Sequence, residues 1–244
     1  MNCSSRQWST ITLHRHDSVL VVHLNRPDQL NAINRTMRED LRQLFDQAGH
    51  DDEVSALVLA ANGRAFCAGH DIKELSTLSP AEANAVMLEI GSLYRAIRAF
   101  PKPLVSALNG LTLGGGAALA LFSDSRLASP EFELGFPEID RGLVSALAPW
   151  LLGLFMPQAI AHQIVLSGAR LSAEHCGQIG LVDATVSRDE LLSRSSSAAL
   201  MLAKKPQAAF SLMKSRFATV TEAGFVEALQ AGATMQELAR AQRG

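Results

Sequence analysis

Apolar residues along this chain recur at two different periods. Residues 19–24 (VLVVHL) form a β-branched run that stops at Asn25-Arg26-Pro27, where proline removes a ladder donor and turns the chain. From Met37 the period lengthens: Leu41, Leu44, Phe45 and Ala48 share one side of a helix, with Thr36 and Glu39 spaced as a capping box. Residues 55–60 (SALVLA) read as a second buried strand closed by Asn62-Gly63. Ser79-Pro80-Ala81-Glu82 then joins an N-cap serine, a proline at the first helical position and a glutamate that completes a capping box. Val86, Met87, Ile90, Leu93, Tyr94 and Ile97 form the inward stripe of that helix. A strand at 104–108, a small-residue helix at 115–122 and a strand at 126–128 continue an α/β pattern of strand, strand and helix. Beyond about Asp189 the strand signals vanish, and 191–203, 206–218 and 221–240 read as helices with short connections. The pattern divides the chain into a core, residues 1–188, and a helical C-terminal region, residues 189–244.

Composition narrows the function classes. Hydrophobic residues make up 48% of the 244 positions but aromatics only 5%, so the core must be built from Ala, Leu, Ile and Val. A net charge of −2 with scattered Lys and Arg lacks the electrostatic footprint of a nucleic-acid binder. Cys3, Cys67 and Cys176 are odd in number and show no CxxC or Cys/His pattern, which argues against a disulfide framework and a zinc site. No signal-peptide core and no run of roughly 18–20 apolar residues occurs. The expectation is a soluble, cytoplasmic protein with no membrane partner.

Four segments have the makings of a site. Asn25 to Ile33 (NRPDQLNAI) is explained by turn chemistry alone. Gly63 to Leu75 (GRAFCAGHDIKEL) is a loop of small residues ahead of a charged helical turn. A tight strand-to-helix connection would look the same, but small side chains also let a ligand approach main-chain N–H groups. In Lys102 to Leu121 a buried strand runs through Asn109-Gly110 into Gly114-Gly115-Gly116, which open a helix and gather free N–H groups at the positive end of its dipole. No Lys-Ser/Thr follows and the GxGxxG spacing is absent, so P-loop and dinucleotide readings fail. In Phe132 to Leu143 (FELGFPEIDRGL), Glu138 sits among Phe132, Leu134, Phe136 and Ile139, surroundings that disfavour its ionised form as a proton shuttle requires.

Together, and in this order, the segments resemble the crotonase, or enoyl-CoA hydratase/isomerase, superfamily. The match runs from about Ile11 to the C-terminus and includes the AFCAGHDIKEL loop, NGxxxGGG, GxPEIxxGL and LSAEHCGQIGLVD. The resemblance implies a spiral of ββα repeats with a C-terminal helical trimerisation region, and a homotrimer or dimer of trimers. It implies an acyl-CoA thioester as substrate, with coenzyme A carried by the substrate and no metal or redox cofactor. The backbone N–H groups of His70 and Gly115 would form an oxyanion hole. Ala68 and His70, Asp71, Ile72 and Lys73 would hold coenzyme A, Leu30 would line the pantetheine channel, and Lys214 would meet the CoA phosphates. Because the His70 contribution is main-chain, its imidazole need not take part.

Two departures bear on the reaction. Hydratases of the family are similar in carrying two glutamates; here the first position is Ala118 and Glu138 stands alone. Water addition needs a base and an acid, whereas one carboxylate suffices to move a proton between two carbons. The expectation is therefore enoyl-CoA isomerisation, with hydration, other enolate chemistry (decarboxylation or thioester cleavage) and silent acyl-CoA binding as alternatives. Downstream, Ser145-Ala146-Leu147-Ala148-Pro149-Trp150 replaces the family's Pro-x-x-Gly-Gly. Trp150 is expected in the core, the alternative being that it fills the acyl pocket.

Overall fold

The computed structural model describes residues 7–241, so Cys3 lies outside the described residues. Two sheets are wound together. The larger runs in the order β1 (Ile11–His16), β2 (Val19–Leu24), β3 (Ala56–Ala61), β5 (Leu104–Leu108), β7 (Ser125–Ala128) and β10 (Ala184–Thr185). The smaller is β4 (Ala65–Cys67), β6 (Leu111–Leu113), β8 (Glu133–Gly135) and β9 (Arg170–Ser172). Each turn of the chain lays one strand in the larger sheet, a short one in the smaller, and returns through a helix, so β2, β3, β5 and β7 are parallel neighbours.

Strands β2, β3 and β5 are nearly continuous apolar runs because both faces of the larger sheet are covered there. In β2, Leu20, Val22 and Leu24 enter the main core beneath α1 (Arg35–His50) and α3 (Pro80–Ala99). Val19 and Val21 face the other way, against Leu191 and Ala199 of α8 (Arg188–Ala203). This corrects the division drawn at residue 189. The first helix beyond it is the second cover layer of the sheet, and the apolar side it presents to the strands is as much core as α3.

Other boundaries moved for local reasons. Helix α1 is capped by Asn34, whose side chain accepts from Met37 N at 3.0 Å, so Thr36 lies inside the helix and Glu39 pairs with Arg42. The box at Ser79 and Glu82 forms as expected. The strands β4, β6, β8 and β9 were not legible, since three residues are too few to show a period.

Candidate active site

The two turns that carry the site are pressed together by missing side chains. Helix α4 (Gly115–Leu121) packs on β4 so closely that a Cβ at Gly116 would lie 2.3 Å from Cys67 O. The next loop meets the same turn: Gly69 has φ +97°, and a Cβ there would be 3.0 Å from Leu113 O and 3.4 Å from Gly115 N.

This contact brings the loop that carries His70 against the turn that carries Gly115, and neither N–H has an internal partner among the described residues. Ile33 pairs with the loop through Gly69 O (2.8 Å) and Asp71 N (3.0 Å), so the N–H of His70 between them points away from that strand. Gly115 N opens α4, ahead of any intrahelical acceptor. Among the described residues neither N–H is given to a partner.

Three ionisable side chains gather at this point. A Cβ at Gly114 would lie 2.9 Å from Glu138 Oε1, and one at Gly115 would lie 2.7 Å from His70 Nε2. The carboxyl and the imidazole thus lie against successive glycines. Glu138 Oε2 is buried without a hydrogen bond, and burial raises its carboxyl pKa to about 6. Desolvation, aided by the Arg38 charge, lowers the His70 pKa to about 3, so the ring is neutral at physiological pH. Its Nε2 lies 3.2 Å from the Tyr94 hydroxyl, whose own pKa burial pushes up.

Around these groups is a cavity of about 660 Å³. Ala68, His70 and Ile72 line one side, Gly114, Gly115, Ala118 and Glu138 the floor, and Met87, Ile90 and Tyr94 of α3 the wall. Helix α10 (Glu222–Ala241) closes it with Ala228, Leu229 and Gly232. Glu138 is the one carboxyl group lining it among the described residues.

The remaining expected residues have structural uses. Asp71 caps α2 (Ile72–Ser76) and pairs with Arg26 at 3.1 Å. Neither it nor Lys73 lines the cavity. In the same charged turn Glu74 binds the buried Arg38 at 2.6 Å. Leu30 is also away from the cavity; it adopts φ +50° and its carbonyl accepts from Ala68 N at 3.0 Å. Beside it the buried Asn31 ties the segment together, donating to Asn62 O and Ala65 O, each at 2.9 Å. Lys214, expected at the CoA phosphates, has its ammonium on Asp124 Oδ2 at 2.7 Å and Lys102 O at 2.9 Å and does not line the cavity. Trp150 packs between Phe122, Phe225 and the Arg98 guanidinium, in the core as expected. The cavity-facing role of Tyr94 was missed, although a lone tyrosine in an aliphatic stripe was the available signal.

Comparison with known proteins identifies the family and the fold. The family model for enoyl-CoA hydratase/isomerase matches residues 14–243. The chain is 32% identical over 211 residues to 1,2-epoxyphenylacetyl-CoA isomerase of Escherichia coli, covering 84% of this chain and 80% of that one. It is 30% identical over 217 residues to crotonyl-CoA hydratase of Syntrophomonas wolfei, covering 85% and 80%. A crystal structure of an enoyl-CoA hydratase/isomerase from Mycobacterium paratuberculosis superposes with a TM-score of 0.87 at 26% identity, covering 96% and 95% of the two chains.

Proposed function

We propose that this chain, which belongs to the enoyl-CoA hydratase/isomerase family and has its crotonase fold, isomerises an enoyl-CoA by moving a proton with Glu138. The observation that carries this reading is the solitary buried carboxyl facing Gly114, with two unspent N–H groups beside it. The His70 and Gly115 N–H groups hold the thioester oxygen as it gains negative charge. In a dry site, removal of one such donor costs on the order of 10²–10³ in rate. Glu138, with a pKa of about 6, takes a proton from one carbon of the enolate system and returns it to another. Ala68 and Ile72 flank the coenzyme A moiety, whose distant binding energy positions the reacting carbons.

Glu138→Gln tests the assignment. Turnover of a 3-enoyl-CoA, followed by NMR, is expected to be nearly abolished with thioester binding retained. Hydration is the second reading, favoured by the hydratase names among the relatives. It requires ordered water to supply the missing group, and predicts measurable turnover in Glu138→Gln. Full-efficiency hydration by the parent protein overturns the isomerase reading, and tight acyl-CoA binding without turnover of any enoyl ester makes the chain a binding subunit.

The proposal extends to a trimer. Its support is the apolar side of α9 (Gln207–Val220), where Leu212, Met213, Phe217 and Val220 are exposed. Light scattering on the purified protein is expected to give three or six times the chain mass; a monomer overturns it.

A further inference from the structure

We propose that Tyr94 donates a hydrogen bond to an oxygen substituent on the acyl group, oriented for that task by His70. The inference rests on the CoA-thioester reading above and adds to it the chemistry of the acyl chain.

Its first support is where the tyrosine sits. The ring is packed against Phe122 at 5.3 Å between centroids, and Phe122 is in turn backed by Trp150 and Phe225. This packing holds the side chain, and Tyr94 lines the cavity together with His70 and Ala118. Among the described residues that hydroxyl meets a single partner, His70 Nε2 at 3.2 Å.

The second support is the placement of the ring proton. His70 Nδ1 is buried and has no hydrogen-bond partner. A buried N–H without an acceptor is rarer and costlier than a bare acceptor nitrogen, so the proton belongs on Nε2. Nε2–H then donates to the tyrosine oxygen, and the tyrosine O–H is left to donate elsewhere. It makes no second hydrogen bond among the described residues, and the cavity that Tyr94 lines is where it can turn. The ring is held neutral by its surroundings and the phenol by burial, so this donor survives across the physiological pH range.

The third support is proximity to the reacting end. The same imidazole lies against Gly115, where a Cβ would be 2.7 Å from Nε2. Tyr94 therefore addresses carbons next to the thioester carbonyl rather than the far end of the chain. An acyl group with an oxygen on its second or third carbon fits; a plain hydrocarbon chain leaves the hydroxyl unmatched, and unmatched polar groups are what give such sites their selectivity.

The experiment is calorimetric binding of butanoyl-CoA and of each enantiomer of 3-hydroxybutanoyl-CoA to the full-length protein. The parent is expected to prefer one hydroxy enantiomer about tenfold over butanoyl-CoA, the worth of one net hydrogen bond. Tyr94→Phe, which keeps the packed ring, is expected to bring that ratio to about one. His70→Ala should lower the ratio, and His70→Gln, which restores a donor near the Nε2 position, should recover it. Tyr94→Phe retaining the preference, or a parent with none, overturns the assignment. Binding of none of the esters overturns the thioester reading as well, and so tells the two failures apart.

Discussion

Two buried ionisable groups sit in different parts of this molecule, and their surroundings differ in one respect. At the seam between α9 and β5, Lys214 reaches the side chain of Asp124 and the carbonyl of Lys102, and Asp124 also accepts from Leu104 N at 2.8 Å. Its stem crosses Phe100, with the ammonium 5.3 Å from the ring centroid. At the glycine turn, one oxygen of Glu138 is buried with no partner among the described residues. Burial disfavours the charge on both groups. At the seam the protein answers with acceptors, and the pair closes a turn. At the glycine turn one carboxyl oxygen is left without an answer beside two N–H groups that have no internal partner among the described residues, a pattern that marks a candidate working site.

The comparison is broken most directly by exchanging the two losses. Glu138→Gln is expected to lower isomerase turnover by about 10³-fold, within the range for a proton-transfer group, while the protein stays folded. Lys214→Met is expected to cost about 2 kcal/mol in urea unfolding, within the range for hydrogen bonds made by a charged group. It should shift KM for the thioester by less than twofold. A Lys214 variant that keeps its stability and loses thioester affinity tenfold would return that residue to phosphate binding.

How far the sequence revealed these roles follows the same distinction. Features that act through the backbone were legible: the strand ending at Asn25-Arg26-Pro27, the capping box at Ser79, the triple glycine opening α4. Each depends on residue types that few other arrangements tolerate. The surroundings of Glu138 were legible only in part: Phe136 lines the same cavity, but Ile139 is exposed and the carboxyl lies against the distant Gly114. Roles set by contacts distant in sequence were not. Lys214 and Asp124 are 90 residues apart, and Arg38 reaches Glu74 and Glu89 across 36 and 51 positions. From sequence, Lys214 stood as a candidate for the CoA phosphates, and the charges of the DIKEL turn looked free for a ligand. Helix α8 was misplaced for a related reason: its apolar side is composed of small residues and Leu191, which show weak periodicity, yet it covers the sheet.

A smaller effect sharpens the contrast, because it makes the same carboxyl group act with opposite signs in stability and in catalysis. Glu138 has its pKa raised from 4.5 to about 6 by burial. Below 4.5 it is protonated whether the chain is folded or not, and contributes no difference. As pH rises from there to about 6, the unfolded chain releases a proton that the folded chain keeps, so stability is lost across that window. Above it the deficit is constant at about 2 kcal/mol. Glu138→Gln removes the titration. The variant should melt with the parent near pH 4 and about 6 °C above it near pH 8, a difference calorimetry resolves. In the parent, kcat/KM is expected to run the other way, rising through the same window as the carboxylate that the proposed proton abstraction needs is formed. A variant that is less stable than the parent at pH 8 would mean that Glu138 is answered by some partner after all, and would place it with Lys214 among the groups that hold the fold.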